Sequence, residues 1–306
     1  MISLLAQMGL PIMCGIVWGI IKPGGLDAVL TRRVLTTVVF NVLLPALILS
    51  VFWHSDIGVE SLKIALFGIS IVVFGMALIW LLSKVWRLEP RRLGAAMLAT
   101  GFANVTYLGL PVLEQTFGSW VRSLVIQIDL FASMPMVLVM GAVIGRHYGE
   151  ASGQRHRPVL LALASNPPLL SALLAVLLNA YGVPMPDWLG AMLHRLSEAV
   201  IPLMLLALGM GLNWSSLRLR NVPLALVVLV CRLAVVPVVG ILLGRGLGFS
   251  GPKLAALVME AGMPSMMLGV VFCDRYRLDT AFYSMIVVSS TVVGLFSVRL
   301  WHDWLV

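Results

Sequence analysis

Ten apolar segments, each long enough to cross a lipid bilayer, constrain the fold of this chain more than any other feature. A spanning helix needs about 20 predominantly apolar residues. Hydrophobic residues make up 60% of the chain and charged residues only 11%. We therefore predict an all-α polytopic membrane protein with ten transmembrane helices. The spans lie at about 3–21, 34–53, 62–83, 93–113, 120–145, 158–181, 188–211, 221–244, 253–273 and 280–300.

The basic residues predict how these helices are oriented. Most of the 21 Lys and Arg residues lie in the odd-numbered gaps between spans, and cytoplasmic loops carry an excess of basic residues. We therefore expect the odd gaps in the cytoplasm and both termini outside. Because the positive charges orient helices, the net charge of +8 does not indicate nucleic acid as a partner.

The two halves of the chain resemble each other. The longest polar gap, between Arg146 and Arg157, separates residues 1–150 from 151–306, with five spans in each half. Pro45 in span two and Pro202 in span seven are 157 residues apart, and the Leu-Gly pairs of spans four and nine are 160 residues apart. Since five is odd, the halves have opposite topology. We predict two inverted five-helix repeats, an arrangement typical of transporters.

Spans four and nine contain residues that interrupt a membrane helix. Pro lacks an N–H and clashes with the preceding turn, and Gly favours open backbone. Irregular backbone at membrane depth is tolerated only where protein buries it or where it lines a cavity. Two matched breaks predict crossover helices with a binding site at mid-membrane. The helix-breaking residues are Gly101, Gly109 and Pro111 in span four and Gly262 in span nine.

Each break offers groups that can bind an ion. The second half-helices begin near Thr106 and Ser265, where unpaired N–H groups favour carboxylates. The amide of Asn104 can donate to a carboxylate or accept from a hydroxyl. The first half-helices end near Gly101 and Gly262, where carbonyl groups suit a cation or a proton donor.

Ionisable residues inside the spans are few, and each needs a partner, a cavity or a protonation change. Glu260 precedes Pro264 by four residues and is a candidate coupling carboxylate; the alternative is a cap for broken-helix donors. Asp129 is a second coupling candidate, as part of a proton relay. Arg232 either attracts an anion or pairs with an acid, and both interpretations stay open. Glu198 is expected to have a structural or interface role.

The sequence also resembles the auxin efflux carrier family, which includes plant PIN-type auxin exporters and bacterial malonate and malate permeases. The resemblance covers the whole chain. The matching segments are Asn41-Val-Leu-Leu-Pro45, Asn104-Val-Thr-Tyr-Leu-Gly-Leu-Pro111, Met263-Pro264-Ser265, Arg275-Tyr-Arg-Leu-Asp279 and Ser289-Ser-Thr291. Two positions depart from the family: span nine has no Asn at its break, and Ser297-Val298 stands where relatives often have Thr-Pro.

The resemblance implies that the spans form two groups with different functions. Spans one, two, six and seven would form a scaffold, often dimeric, and spans three to five and eight to ten a mobile transport unit that works as an elevator. Spans four and nine would cross at mid-membrane. The residues that we expect to bind substrate are Asn41, Asn104, Val105, Thr106, Tyr107, Arg232, Pro264 and Ser265.

The expected function, which the resemblance to bacterial members of the family implies, is secondary active transport of a small organic anion across a bacterial inner membrane. The anion would be, for example, a dicarboxylate or an auxin-like carboxylate, and transport would proceed by alternating access. A second hypothesis is a sodium-coupled symporter similar to the bile acid/sodium symporter family, whose E-x-G-x-Q-N stretch is matched here only at Glu260 and Gly262. A remote alternative is an intramembrane serine protease, from Gly248-Phe-Ser-Gly251, but no span interior holds a His base.

An enzymatic function, a metal site and a cofactor are not expected. Cys14, Cys231 and Cys273 fall in apolar runs without paired spacing and are interpreted as small core residues. No nucleotide-binding loop is present. The expected partners are the organic anion, the lipid bilayer and a second copy of the chain.

The inverted topology can be tested by labelling. A cysteine placed at residue 3 and one placed between Arg146 and Arg157 should react with a membrane-impermeant thiol reagent from opposite sides, because an odd number of spans separates them. The measurement is labelling in right-side-out and inverted vesicles, with the native cysteines replaced. Labelling of both positions from one side would exclude two inverted halves of five spans.

Overall fold

The computed structural model describes residues 2–55, 58–86, 88–150, 166–212 and 214–306, and nearly all of them are helical. The start of the expected sixth span and most of the central gap, including Arg155 and Arg157, lie outside these residues. In chain order the helices are α1 Ile2–Ile21, α2 Ala28–Phe52, α3 Val59–Ser83, α4 Pro90–Gly101, α5 Leu110–Phe117, α6 Val121–Tyr148, α7 Pro167–Ala180, α8 Asp187–Gly211, α9 Leu219–Gly246, α10 Gly251–Ala261, α11 Gly269–Arg275 and α12 Thr280–Leu305.

Six of these helices, α2, α3, α6, α8, α9 and α12, are long and apolar enough to cross a membrane within the described residues. Shorter apolar helices occur at Gly9–Ile21 and in α7. A helical, polytopic membrane protein is therefore confirmed. The arrangement as ten spans in two inverted repeats stays a prediction.

The chain divides into two compact units. Unit 1 comprises the described residues of Met1–Leu62, Thr106–Leu130 and Arg157–Leu212. Unit 2 comprises those of Lys63–Val105, Phe131–His156 and Asn213–Val306.

Glycines set the close packing of unit 1. In α1, a Cβ added at Gly15 would collide with the backbone carbonyl of Leu206 in α8, and one added at Gly209 would collide with the carbonyl of Ile12. Small residues of this kind allow membrane helices to approach until their backbones touch. Elsewhere in the unit, Trp53 donates its indole N–H to the carbonyl of Val183 at 2.8 Å. The end of α2 is thereby tied to the loop between α7 and α8.

Unit 2 is built around a continuous apolar core. Residues from α3, α4, α6, α9, α11 and α12 contribute to it, and Leu98, Val228 and Phe282 are almost fully buried there. Gly75 of α3 faces the carbonyl of Thr100 in α4 so closely that a Cβ would lie 2.7 Å from that oxygen. The last turns of α4 therefore contact the backbone of α3 directly, which holds the end of α4 in place.

Four π-helical segments in the described residues share one position relative to a proline. Each is five residues long and ends two residues before the proline, so the residue four before that proline lies in the middle of the segment. A proline lacks an N–H and clashes with the carbonyl four residues earlier, and a wider turn relieves the clash. The segments are Val39–Leu43 before Pro45, Val105–Gly109 before Pro111, Asp129–Ser133 before Pro135, and Cys231–Val235 before Pro237.

The glycine contact in unit 1 gives a stability prediction. Gly15→Ala should destabilise the protein by about 1–3 kcal/mol, because a methyl group there forces two backbones apart. Gly9→Ala on the same helix is the control, since no atom of the described residues lies within 4 Å of its added Cβ. The measurement is thermal unfolding of the purified protein in detergent. Equal melting temperatures for the two variants would contradict the predicted backbone contact.

Candidate functional site: the crossing of two broken helices

Two helices of unit 2, α4 and α10, end inside apolar segments, and the extended residues that follow the two helices pair with each other. Helix α4 ends at Gly101 and α10 ends at Ala261. The N–H of Asn104 donates to the carbonyl of Pro264 at 2.7 Å, and the N–H of Met266 donates to the carbonyl of Phe102 at 3.0 Å. This short antiparallel bridge satisfies backbone groups that the broken helices leave open, as a membrane interior requires.

The hydroxyl and the backbone N–H of Ser265 both donate hydrogen bonds within unit 2. Its hydroxyl donates to the carbonyl of Ala99 at 2.8 Å, and its N–H donates to the hydroxyl of Ser290 at 3.1 Å. Ser265 is 0% exposed. The sequence predicted an unpaired N–H here; the structure differs because α12 brings an acceptor to it. Ser265 thus joins α4, the break of α10 and α12.

Asn104 is buried, and its side-chain amide has an unpaired hydrogen-bond donor. The residue is 2% exposed, and its backbone N–H is used in the bridge. The side-chain Nδ2 has no hydrogen-bond partner among the described residues, and neither does the hydroxyl of Thr100, one turn earlier in α4. Buried polar groups are normally paired, so an unpaired amide in a native fold calls for an explanation such as a bound ligand or water.

Arg232 lies on the π-helical segment of α9 and is 0% exposed. Its Nε donates to the carbonyl of Met263 at 2.8 Å, and its Nη1 donates to the carbonyl of Thr100 at 3.0 Å. These carbonyls belong to the C-terminal ends of α4 and α10, where helix dipoles concentrate negative charge. One guanidinium therefore holds both broken ends.

Glu260, in the last turn of α10, is 2% exposed and acts electrostatically on Arg232. Of the two interpretations that the sequence left open for Arg232, the structure favours interaction with an acid and with backbone carbonyls. A fully buried charge requires compensation of this kind, because its desolvation is expensive. Glu260 and Arg232 therefore lie in one electrostatic group in unit 2.

Unit 1 contains a second polar group. The hydroxyl of Thr106 donates to Oδ2 of Asp129 in α6, and Asp129 is 7% exposed. Oδ1 of Asp129 has no hydrogen-bond partner among the described residues. Tyr107 is electrostatically coupled to Asp129 and to Arg32 of α2. The structure therefore brings together two residues that the sequence placed at the substrate site and one that it placed in coupling.

The other predicted residues have simpler surroundings. Asn41 is exposed in unit 1 and donates to the carbonyl of Thr37 at 2.7 Å, within its own helix. Val105 is 1% exposed and offers an apolar side chain. Gly109 closes a π-helical segment and Pro111 is the second residue of α5, so both lie past the break. No group of three or more potential metal ligands occurs in the described part of the chain.

Sequence reasoning missed the role of α12. Tyr283 donates its hydroxyl to the carbonyl of Met266 at 2.7 Å, and Ser290 accepts from Ser265. A Cβ at Gly294 would collide with the ring of Pro264. The run Ser289-Ser-Thr291 and the glycine after it were visible as polar and small residues in an apolar span, a pattern typical of helix contacts in membranes.

The chain is similar to proteins described as membrane transporters. A family model described as "Membrane transport protein" matches residues 10–302. An uncharacterized transporter of Methanothermobacter thermautotrophicus is 30% identical over 273 residues, which cover 87% of each chain. An uncharacterized transporter of Methanocaldococcus jannaschii is 26% identical over 279 residues, which cover 88% of each chain.

A double-mutant cycle tests the bond between Thr106 and Asp129. Thr106→Val and Asp129→Ala should be coupled by about 1–3 kcal/mol in the free energy of unfolding, since each change removes the same buried hydrogen bond. The control is Thr116→Val, whose hydroxyl donates to Val112 at 2.7 Å within its own helix and should cost less. Additive effects of the two changes would argue against the bond.

Proposed function

The chain belongs to the membrane transport protein family, the auxin efflux carrier family that its motifs resemble, and we propose that it is a secondary carrier of a small organic anion. The anion binds at the break of α4, beside Asn104. Transport proceeds by alternating access. The chemical class we propose is a small carboxylate, such as a dicarboxylate or an auxin-like acid.

The observation that carries this proposal is the unpaired, buried amide of Asn104. The bridge to Pro264 fixes the backbone of Asn104, so its side chain starts from a fixed backbone position where two helices are broken. A pre-positioned donor of this kind binds an acceptor with little further ordering. A carboxylate is the biological acceptor that best matches an amide N–H next to a helix start.

The chain after Asn104 adds positive potential. The helical segment from Val105 onwards begins with N–H groups that have no partner earlier in their own helix, and such ends favour negative charge. Discontinuous membrane helices present this end to anionic substrates in other carriers. Donors from the backbone and one neutral amide allow an anion to be bound without a paired basic side chain.

Glu260 and Asp129 are the coupling carboxylates of this proposal. Both are nearly buried, and a carboxylate inside a membrane is costly unless it is paired or protonated. Proton movement is therefore the coupling that we favour. A sodium-coupled symporter is the alternative, which rests on Glu260 at a helix break. An intramembrane protease is a remote alternative, because its serine would need a His base within hydrogen-bond reach.

The larger organisation is also part of the proposal. We assign α1, α2, α7 and α8 to a scaffold that pairs with a second copy in the inner membrane, and the remaining helices to a moving unit. The grouping of these four helices in unit 1 supports the division, although unit 1 also contains Thr106–Leu130. The ten-span inverted repeat and the external termini complete this arrangement.

Transport into liposomes tests the function. Purified protein should take up radiolabelled carboxylates from a panel that includes malonate, malate and indole-3-acetate, and an imposed proton gradient should accelerate uptake while a sodium gradient should not. Glu260→Gln should lose the acceleration and keep part of the exchange activity. Sodium-dependent uptake that disappears in Glu260→Gln would favour the symporter, and no uptake of any anion would reject the proposal.

Asn104 gives the sharpest site prediction. Asn104→Ala should weaken binding of the transported anion by about 1–3 kcal/mol, because the anion loses a buried donor. The control is Asn221→Ala, since Asn221 is 5% exposed and also has an unpaired side-chain atom among the described residues, but lies at the start of α9. Binding is measured by scintillation proximity. Unchanged affinity in well-folded Asn104→Ala would leave this residue only a role in the helix break.

A further inference from the structure

We propose that Arg232 is a tethered cation that occupies the place of a mobile coupling ion between the two broken helices. Its guanidinium lies at the ends of α4 and α10. It donates to the carbonyl of Thr100, in the last turn of α4, at 3.0 Å and to the carbonyl of Met263, two residues after α10 ends, at 2.8 Å. In carriers with discontinuous helices, such half-helix ends and unwound carbonyls coordinate sodium ions or protons. Here a side chain of the protein takes those oxygens.

The ends of two helices and the carboxyl group of Glu260 all favour a positive charge at this position. Each helix C-terminus carries the equivalent of about half a negative charge, so the two ends together offset about one positive charge. Arg232 supplies that charge in a permanent form, because a guanidinium stays protonated in proteins. Its planar fork also reaches two carbonyls at once, which a Lys ammonium does less well.

The position of Arg232 is specified by the fold of α9. Pro237 lies five residues later, and the π-helical segment Cys231–Val235 that precedes this proline contains Arg232. Full burial of an arginine is tolerated only with good geometry and compensating partners. Two helix ends and the electrostatic interaction with Glu260 provide them, so the arginine is held at the junction.

The ion dependence of the carrier follows from this arrangement. A site already filled by a covalently attached cation has no need of sodium, so anion binding at the break should be independent of sodium. This consequence rests on the proposed function. The occupancy of the junction by Arg232 does not, and it can be tested on protein stability with no transported anion present.

The stability test removes the tethered cation and offers a free one. Arg232→Ala should melt at a lower temperature than the wild-type protein, in detergent with choline chloride. Millimolar guanidinium chloride should raise its melting temperature by a few degrees in a saturable way, because a ligand that binds only the folded state stabilises it. Sodium chloride should stabilise this variant to a smaller extent. Arg245→Ala, an exposed position of the same helix, is the control and should show neither effect.

Three results would overturn the proposal. The first is a folded Arg232→Ala protein that is indifferent to guanidinium and to sodium. The second is rescue of Arg245→Ala to the same extent, which would mean a general effect of the salt. The third needs no variant: a wild-type protein whose melting temperature rises in a saturable way with sodium chloride, relative to choline chloride, would have a separate sodium site. If Arg232→Ala does not fold, Arg232→Lys should fold with a lower melting temperature than wild type, and equal stability would contradict the need for a fork.

Discussion

Backbone groups without partners at membrane depth are the constraint on which this structure depends. An unsatisfied N–H or C=O in hydrocarbon costs several kcal/mol, yet α4 and α10 both end inside apolar segments. In unit 2 the backbone groups at these ends are hydrogen-bonded within the protein, by the bridge between Asn104 and Pro264 and by the guanidinium of Arg232. The backbone at the break is therefore paired within the protein. Some side-chain atoms there have no hydrogen-bond partner among the described residues, namely Nδ2 of Asn104, the hydroxyl of Thr100 and Nη2 of Arg232.

The same constraint explains why polar residues of α2, α6 and α9 lie where they do. A proline in each helix removes one hydrogen bond and widens the turn before it, and Asn41, Asp129 and Arg232 lie within those turns. A wider turn rotates the side chains that follow and frees a carbonyl. In each of these three helices, the proline and the polar residue before it together place a polar group inside an apolar helix.

Much of this could be predicted from particular residues. Apolar length and composition predict the long membrane helices, and Gly101 and Gly262 mark the ends of α4 and α10. The offset of 160 residues between the Leu-Gly pairs also relates position 104 to position 264, but this relation did not predict the hydrogen bond between Asn104 and Pro264. The partners of Arg232 could not be predicted, because they are backbone carbonyls more than 30 and 130 residues away and any residue carries a carbonyl. The acceptor for Ser265 was missed for a similar reason: three hydroxyl residues in a row, Ser289 to Thr291, do not say which one faces the break.

A tethered cation and a bound ion differ in what they permit. A bound ion can leave, so a site built around one changes its charge during each transport cycle and the gradient of that ion can drive the cycle. Arg232 cannot leave, so in the proposed arrangement its positive charge stays at the ends of α4 and α10 whether the anion is present or absent. Any driving force at this junction must then come from a group that can change its charge, and Glu260, which interacts with Arg232, is a carboxyl group in that position. The fixed charge of Arg232 thus assigns the stabilisation of the break to one residue and leaves the variable charge to another.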